Sequence, residues 1–338
     1  MADKDKKSNN FNVPLLAVAP MMDWTDRHCR FFHRVMTRRA ALYTEMVVAD
    51  AILHGDRQKL LGDDTGGPVV LQLGGSDPAK LAEAAKVGEG FGYCEINLNV
   101  GCPSDRVQSG TFGACLMREP ELVGRLVEAM KEAVSVPVTV KCRIGVDEQD
   151  TGPALDDLAS CVWSAGADAL WVHARKAWLQ GLSPKENREI PPLDYERVRK
   201  LKLENPSQFI GLNGGLKDLN QALDEGFGGN PPLDGVMLGR AAYQQPAILR
   251  DVDHLFHGDD GSRKDFDEIV GEMRTYAGRH LANGGRLHHV TRHMTGLFHG
   301  LPGARLWRQI LSTEACEHDA GLEVLDKAYA AVSARLAA

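Results

Sequence analysis

The sequence predicts a TIM (β/α)8 barrel followed by a C-terminal all-helical domain. Three observations carry this. Eight apolar, strand-like runs alternate with helix-period segments between residues 15 and 256, in units of about 25–35 residues, the count an eightfold barrel needs. No GxGxxG motif opens the series, which favours the barrel over a doubly wound dinucleotide-binding sheet. Beyond residue 258 the alternation stops and only helical patterns remain.

In chain order, the first strand is read at 15–20, with a helix over 24–36 and Asp23 as its N-cap. Strands two and three fall at 42–46 and 69–73. The helix over 77–87 carries Pro78 at its first position, where a missing N–H costs no hydrogen bond. Strand four, 93–100, ends in the tight turn Gly101-Cys102-Pro103, and a helix over 119–134 follows a glycine-bearing loop that reads as able to move and close over a substrate. Strand five at 138–144 precedes a helix over 154–165. Strand six at 169–174 leads through a long loop to a helix near 195–202. Strands seven (209–212) and eight (235–238) are followed by helices over 216–225 and 241–256. The turn-rich, acidic stretch 258–262 separates the barrel domain, 13–257, from a helical domain over 263–338. That domain reads as helices at 265–281, 288–298, 303–311 and 322–336. Residues 1–12 are polar and read as a disordered tail.

The composition is that of a globular chain with an ordinary core: 338 residues, 43% hydrophobic and 25% charged. Seven cysteines form no CxxC pair and no zinc spacing, and neither a signal peptide nor a membrane-length apolar run is visible. The expectation is a reduced, cytoplasmic protein without a metal. The net charge of -7 does not announce a nucleic-acid binder, but its distribution does. Between residues 273 and 313 there is no Asp or Glu, while six arginines and five histidines fall there. A solvated helix face would mix both signs, whereas an arginine face is a phosphate-backbone footprint. The loop 176–192 adds Lys176, Lys185 and Arg188 with Trp178 near them, a mixture suited to partly unstacked bases.

Strand four organises the chemistry. Glu95, Asn97 and Asn99 alternate with apolar residues, so polar side chains share one face of a core strand, which is costly unless they line a site. Cys102 sits on the turn that ends this strand. A barrel places active groups just after each strand. There the chain offers Pro20, Met21 and Met22, Glu45, Gln72, Asn99 and Cys102, Lys141 and Arg143, His173 and Arg175, Asn213, Gly214 and Gly215, and Gly239 and Arg240. Singly each has a plain explanation: an inert thiol, a solvated cap, a core histidine, a turn. Together they place amides, cations, glycines and one thiol on one rim. Asn213-Gly214-Gly215 and Gly239-Arg240 follow strands seven and eight, the recurrent phosphate site of barrels. Gln72 and Lys141 can address a polar, electron-accepting ring, so FMN fits; a phosphosugar also fits the phosphate loops.

Seven stretches resemble the tRNA-dihydrouridine synthases: APMMDWTD at 19–26, LQLGG at 71–75, EINLNVGCPS at 95–104, VKCRIG at 140–145, the loop 173–195, LNGG at 212–215 and LGRAAY at 238–243. The long loop after strand six and RHMTGLFHGLPGARLWR at 292–308 are similar to the subfamily acting on U20 and U20a of the D-loop. The resemblance implies FMN held by Pro20, Met21 and Met22, by Gln72, Lys141 and His173 at the ring, and by Asn213, Gly214, Gly215, Gly239 and Arg240 at the phosphate. It implies NADPH as reductant, Cys102 as proton donor, and tRNA contacts at Asn99, Lys185, Arg188, Arg305 and Arg308. Arg143, with Lys141, is expected to stabilise negative charge on the uracil carbonyls. Three rival readings remain open on the residues alone: a Schiff-base aldolase or phosphosugar isomerase using Lys141, a flavoenzyme of free pyrimidines, and a non-catalytic tRNA-binding protein.

Overall fold

Eight parallel strands close in sequence order into a barrel, each hydrogen-bonded to the next and β8 returning to β1. This computed structural model describes residues 15–62, 65–104, 111–259, 261 and 263–336. The expected tail, 1–12, lies outside the described residues, as do 105–110 of the loop read as able to move and residues 260 and 262 of the acidic linker.

The strands are β1 (Leu16–Val18), β2 (Ala41–Val48), β3 (Val69–Gly74), β4 (Glu95–Val100), β5 (Val138–Arg143), β6 (Ala169–His173), β7 (Ile210–Asn213) and β8 (Gly235–Leu238). Around them run α1 (Arg27–Met36), α2 (Ala49–His54), α3 (Arg57–Leu61), α4 (Pro78–Gly90), α5 (Pro120–Ala133), α6 (Thr151–Ser164), α7 (Tyr195–Glu204), α8 (Leu219–Gly226), α9 (Arg240–Gln244) and α10 (Val252–His257). The strand residues that point outward, such as Leu71, Leu98, Val140 and Val172, merge with the helices' apolar faces into one large core. Those that point inward form a second, small cluster of Ala17, Ala41, Tyr43, Val70, Trp171 and Met237. Trp171 fills the interior because β7 offers no side chain opposite it: a Cβ on Gly211 would lie 2.2 Å from the indole. Beside this apolar half, the inward side chains are polar at Gln72 of β3, at Glu95, Asn97 and Asn99 of β4, and at Thr139, Lys141 and Arg143 of β5.

Local signals account for most helix starts. Asp77 caps α4 by accepting from the Lys80 N–H at 3.1 Å, with Pro78 following. The cap of α1 is Asp26, not Asp23: Asp26 accepts from the Cys29 N–H at 2.9 Å. Asp23 instead takes a left-handed backbone, φ 63°, and gives its N–H to Glu45. The helix expected over 241–256 is interrupted by Pro246 into α9, a 3-10 turn and α10, because proline lacks the N–H an unbroken helix needs.

The C-terminal helices are α11 (Phe266–Ala282), α12 (Leu287–Thr291), α13 (Ala304–Thr313) and α14 (Leu322–Leu336). They dock on α1 and α9. Phe31 stacks on Tyr276 with centroids 4.0 Å apart, and the Tyr243 hydroxyl meets His293 Nδ1 at 3.2 Å. Buried His293 reaches Asp26 at 3.0 Å, and Arg292 reaches the same carboxylate at 2.6 Å. Burial alone would raise the Asp26 pKa, but the His293 and Arg292 contacts and the Cys29 N–H hold it well below the carboxylate range. Among the described residues, no helix is long and apolar enough to cross a membrane.

Candidate active site

The inward-facing polar residues form a ladder. Tyr43 donates to Glu95 Oε1 at 2.8 Å, and Thr139 donates to the same oxygen. Asn97 Nδ2 donates to Thr139 Oγ1, Gln72 Nε2 to Asn97 Oδ1, and Asn99 Nδ2 to Gln72 Oε1, each at 2.8 Å. Asn99 Oδ1 then accepts the N–H groups of Gly101 at 3.1 Å and Cys102 at 3.0 Å. Registry explains the row: Asn97 pairs with Gln72 on one side and Thr139 on the other. Every member is buried, and every amide is used, which is how a polar row survives inside a barrel.

Cys102 stands where this ladder ends, half-buried at the C-terminal mouth of the barrel. Among the described residues its sulfur meets the Ser104 hydroxyl at 3.4 Å. Lys141, level with Asn99 in the sheet, has a pKa lowered to about 8 by burial and next by Arg143. His173 is pushed well below the usual imidazole range, first by burial and then by Arg143, Lys141, Arg175 and Arg188. The imidazole is therefore neutral in a cationic surround.

The glycine turns after β7 and β8 lie across the mouth. Gly214 adopts φ 108°, and a Cβ there would meet His173 at 2.4 Å, so only glycine brings this turn so close. Tyr195 fixes the turn by donating to the Gly214 carbonyl at 2.6 Å. Pro20, Met21 and Met22 follow β1, which pairs with β8; the Met21 sulfur would lie 3.8 Å from a Cβ on Gly239, and Met22 is 54% exposed. Among the described residues, the Nε atoms of Arg175 and Arg188 are buried with no hydrogen-bond partner. Buried donors without acceptors, glycine amides and an apolar rim fit a phosphate ester joined to a flat ring.

Several residues stand differently from the expectation. Arg143 does not present its whole guanidinium to a substrate. Its Nε donates to the Gly101 carbonyl, and its Nη1 donates to the carbonyls of Lys176 and Asn187. Arg240 is ion-paired to Glu189 at 2.5 Å, and Asn213 ties β7 to β8 by donating to the Met237 carbonyl at 2.7 Å. The acid-free interval is answered by acids from elsewhere: Arg274 pairs with Asp326, and Arg292 with Asp26. Arg305 and Arg308 are exposed on α13, and Lys185 is exposed on the loop after β6. Sequence reading missed the parts played by Thr139, Asn187 and Glu189. Thr139 had a signal, since it shares parity with Lys141 and Arg143. Asn187 had none: it is fully buried, accepts from the Trp178 N–H at 2.7 Å and donates to the Trp178 and Leu182 carbonyls.

Residues 17–333 match the family described as dihydrouridine synthase. This chain belongs to the dihydrouridine synthase family. The chain is 53% identical over 322 residues to the tRNA-dihydrouridine(20/20a) synthase of Shewanella oneidensis, covering 95% of each chain. It is 54% identical over 322 residues to that of Vibrio parahaemolyticus, covering 95% of this chain and 98% of the relative. It is 52% identical over 318 residues to that of Escherichia coli, covering 94% and 91%. In this dihydrouridine synthase barrel the Cys102 thiol lies close to Lys141, and the match extends through the C-terminal helices as well.

Proposed function

We propose that this protein reduces the C5–C6 bond of uridines 20 and 20a in the D-loop of tRNA, with NADPH as reductant and FMN as resident cofactor. The observation that carries the reading is Cys102, a partly exposed thiol at the end of β4 with Lys141, Arg143 and Arg188 around it. Bound FMN would supply the two-electron chemistry, a hydride to uracil C6. Gln72, Lys141 and His173 would address its ring, and Gly214, Gly215, Gly239, Asn213 and Arg240 its phosphate, with Pro20, Met21 and Met22 along its edge.

The chain's own part is to extract, hold and protonate. A uracil in a stack cannot be reached, so the base must leave it before reduction. Asn99, whose carbonyl oxygen is fixed on the Gly101 and Cys102 amides, borders the base. Cys102 gives its thiol proton to C5 as C6 receives the hydride, and solvent restores the proton. Lys141 and the Arg143 guanidinium offset negative charge on the uracil carbonyls. Lys185, Arg188, Arg305 and Arg308 engage the tRNA backbone.

The test is incubation of purified protein and NADPH with unmodified tRNA, followed by mass spectrometry of nuclease fragments. A gain of two hydrogens in the fragment holding positions 20 and 20a is expected. A colourless protein that leaves this fragment unchanged would refute the reading.

A further inference from the structure

We propose that Glu95, at the closed floor of the barrel, is a positioning residue that sets the donor–acceptor sense of the amide ladder and thereby holds the Cys102 turn. The inference rests on the reading of Cys102 as proton donor. Its structural basis is independent of any bound cofactor.

The ladder can run in only one direction. At the top, two backbone N–H groups need an oxygen, so Asn99 must present Oδ1 to Gly101 and Cys102. Its Nδ2 therefore faces Gln72 Oε1, Gln72 Nε2 faces Asn97 Oδ1, and Asn97 Nδ2 faces the Thr139 oxygen. The Thr139 hydroxyl has then accepted and must donate downward. The Tyr43 hydroxyl also donates into the same spot. The chain of amides needs an acceptor at its foot that takes two hydrogen bonds on one oxygen, and Glu95 Oε1 is that acceptor. Glu95 is 2% exposed, and its partners Tyr43 and Thr139 are fully buried, so water cannot take its place. The mechanism of uridine reduction does not use this carboxyl: four residues of strand, about 13 Å, separate it from Asn99.

Without that acceptor two buried hydroxyls are orphaned. The amides above then lose the acceptor that fixes their sense, and in the flipped sense Asn99 presents Nδ2 instead of Oδ1 to the two backbone N–H groups. The Cys102 turn then loses its anchor although nothing near it has changed.

The experiment is hydrogen–deuterium exchange by mass spectrometry on the purified wild type and on Glu95→Met, Glu95→Gln and Thr139→Val. Glu95→Gln keeps an acceptor oxygen without the charge. Thr139→Val breaks the ladder midway while keeping shape, and serves if Glu95→Met fails to fold. Expected in Glu95→Met and Thr139→Val is about tenfold faster exchange at Gly101 and Cys102, with β6 and β7 still protected. Glu95→Gln should stay within about twofold of wild type. Turnover on tRNA should fall in Thr139→Val with KM for tRNA unchanged. Unaltered exchange at Gly101 and Cys102 in both ladder-breaking variants overturns the proposal, as does acceleration spread evenly over all strands, and as does a Gln variant that behaves like Met. A colourless, inactive wild type sinks the underlying functional reading instead, and the exchange result still decides the role of Glu95.

Discussion

The Nη1 of Arg143 lies 2.9 Å from the carbonyl oxygen of Asn187, while its Nε lies 3.2 Å from that of Gly101. One buried guanidinium therefore ties the turn bearing Cys102 to the loop bearing Lys185 and Arg188. Asn187 holds its own loop by four side-chain hydrogen bonds to the backbone of Trp178, Leu182 and Ser183. Asn187→Ala should cost roughly 2–3 kcal/mol of stability, read by urea unfolding. It should lower kcat/KM for tRNA about tenfold or more while oxidation of NADPH changes less than about twofold.

Cys102→Ala removes the assigned proton donor but no structural bond of the ladder, since Asn99 meets the backbone N–H and not the sulfur. Turnover on tRNA should drop by about 100-fold or more, with flavin content and its reduction by NADPH unchanged. Rapid-mixing absorbance separates the two half-reactions. A variant that reduces tRNA at the wild-type rate would remove Cys102 from the mechanism.

Lys141 carries a pH signature. Burial, then Arg143, lowers its pKa to about 8, so the ammonium is half lost as pH rises through that value. A group whose charged form is disfavoured in the fold is lost on the alkaline side, not the acid side. Binding of FMN to the apoprotein should therefore weaken between about pH 7 and about pH 9, and Lys141→Met should flatten the curve at its weak-binding limit. Fluorescence quenching of FMN titrations would show it.

Glu189 occupies the guanidinium of Arg240 at 2.5 Å, with both side chains partly exposed. On the proposed reading, the FMN phosphate would compete for the same donors. Glu189→Gln should raise apoprotein affinity for FMN by up to about fivefold, the equivalent of a solvent-screened pair worth under about 1 kcal/mol. Calorimetric titration gives the constant directly, and a weaker complex would mean that Glu189 organises the site rather than competing at it.

Acid should loosen the joint between barrel and helical domain. His28 faces Tyr276 at 2.8 Å and packs against His280 at 4.5 Å, and its pKa falls from 6.5 to about 4, chiefly by burial. The unfolded chain binds this proton below pH 6.5 and the fold does not, so stability is present at neutral pH and lost as pH falls toward 4. After screening the loss is on the order of 1–2 kcal/mol. Thermal melts at successive pH values should slope more steeply in wild type than in His28→Gln.

The barrel and its mouth were legible because they rest on short-range patterns: eight buried runs, aspartate caps, and polar parity on β4. What was not legible depends on who meets whom across the chain. Asp26 finds Arg292 and His293, some 266 residues away, and no local pattern marks that meeting. Arg240 was read as a phosphate ligand from its position after β8; that a carboxylate from the β6 loop holds it follows only from loop conformation. The arginine-rich interval looked uncompensated in one dimension, yet folding brings Asp326 and Asp26 to two of its members.

Asp26 caps the first barrel helix and grips two residues of the C-terminal domain with the same carboxylate. Removal of the last eighty or so residues would therefore strip Asp26 of both its cationic partners, Arg292 and His293, and bare Phe31, rather than leave a free-standing half. The tail is no detachable module, and grafting it onto another barrel would require transplanting α1 along with it.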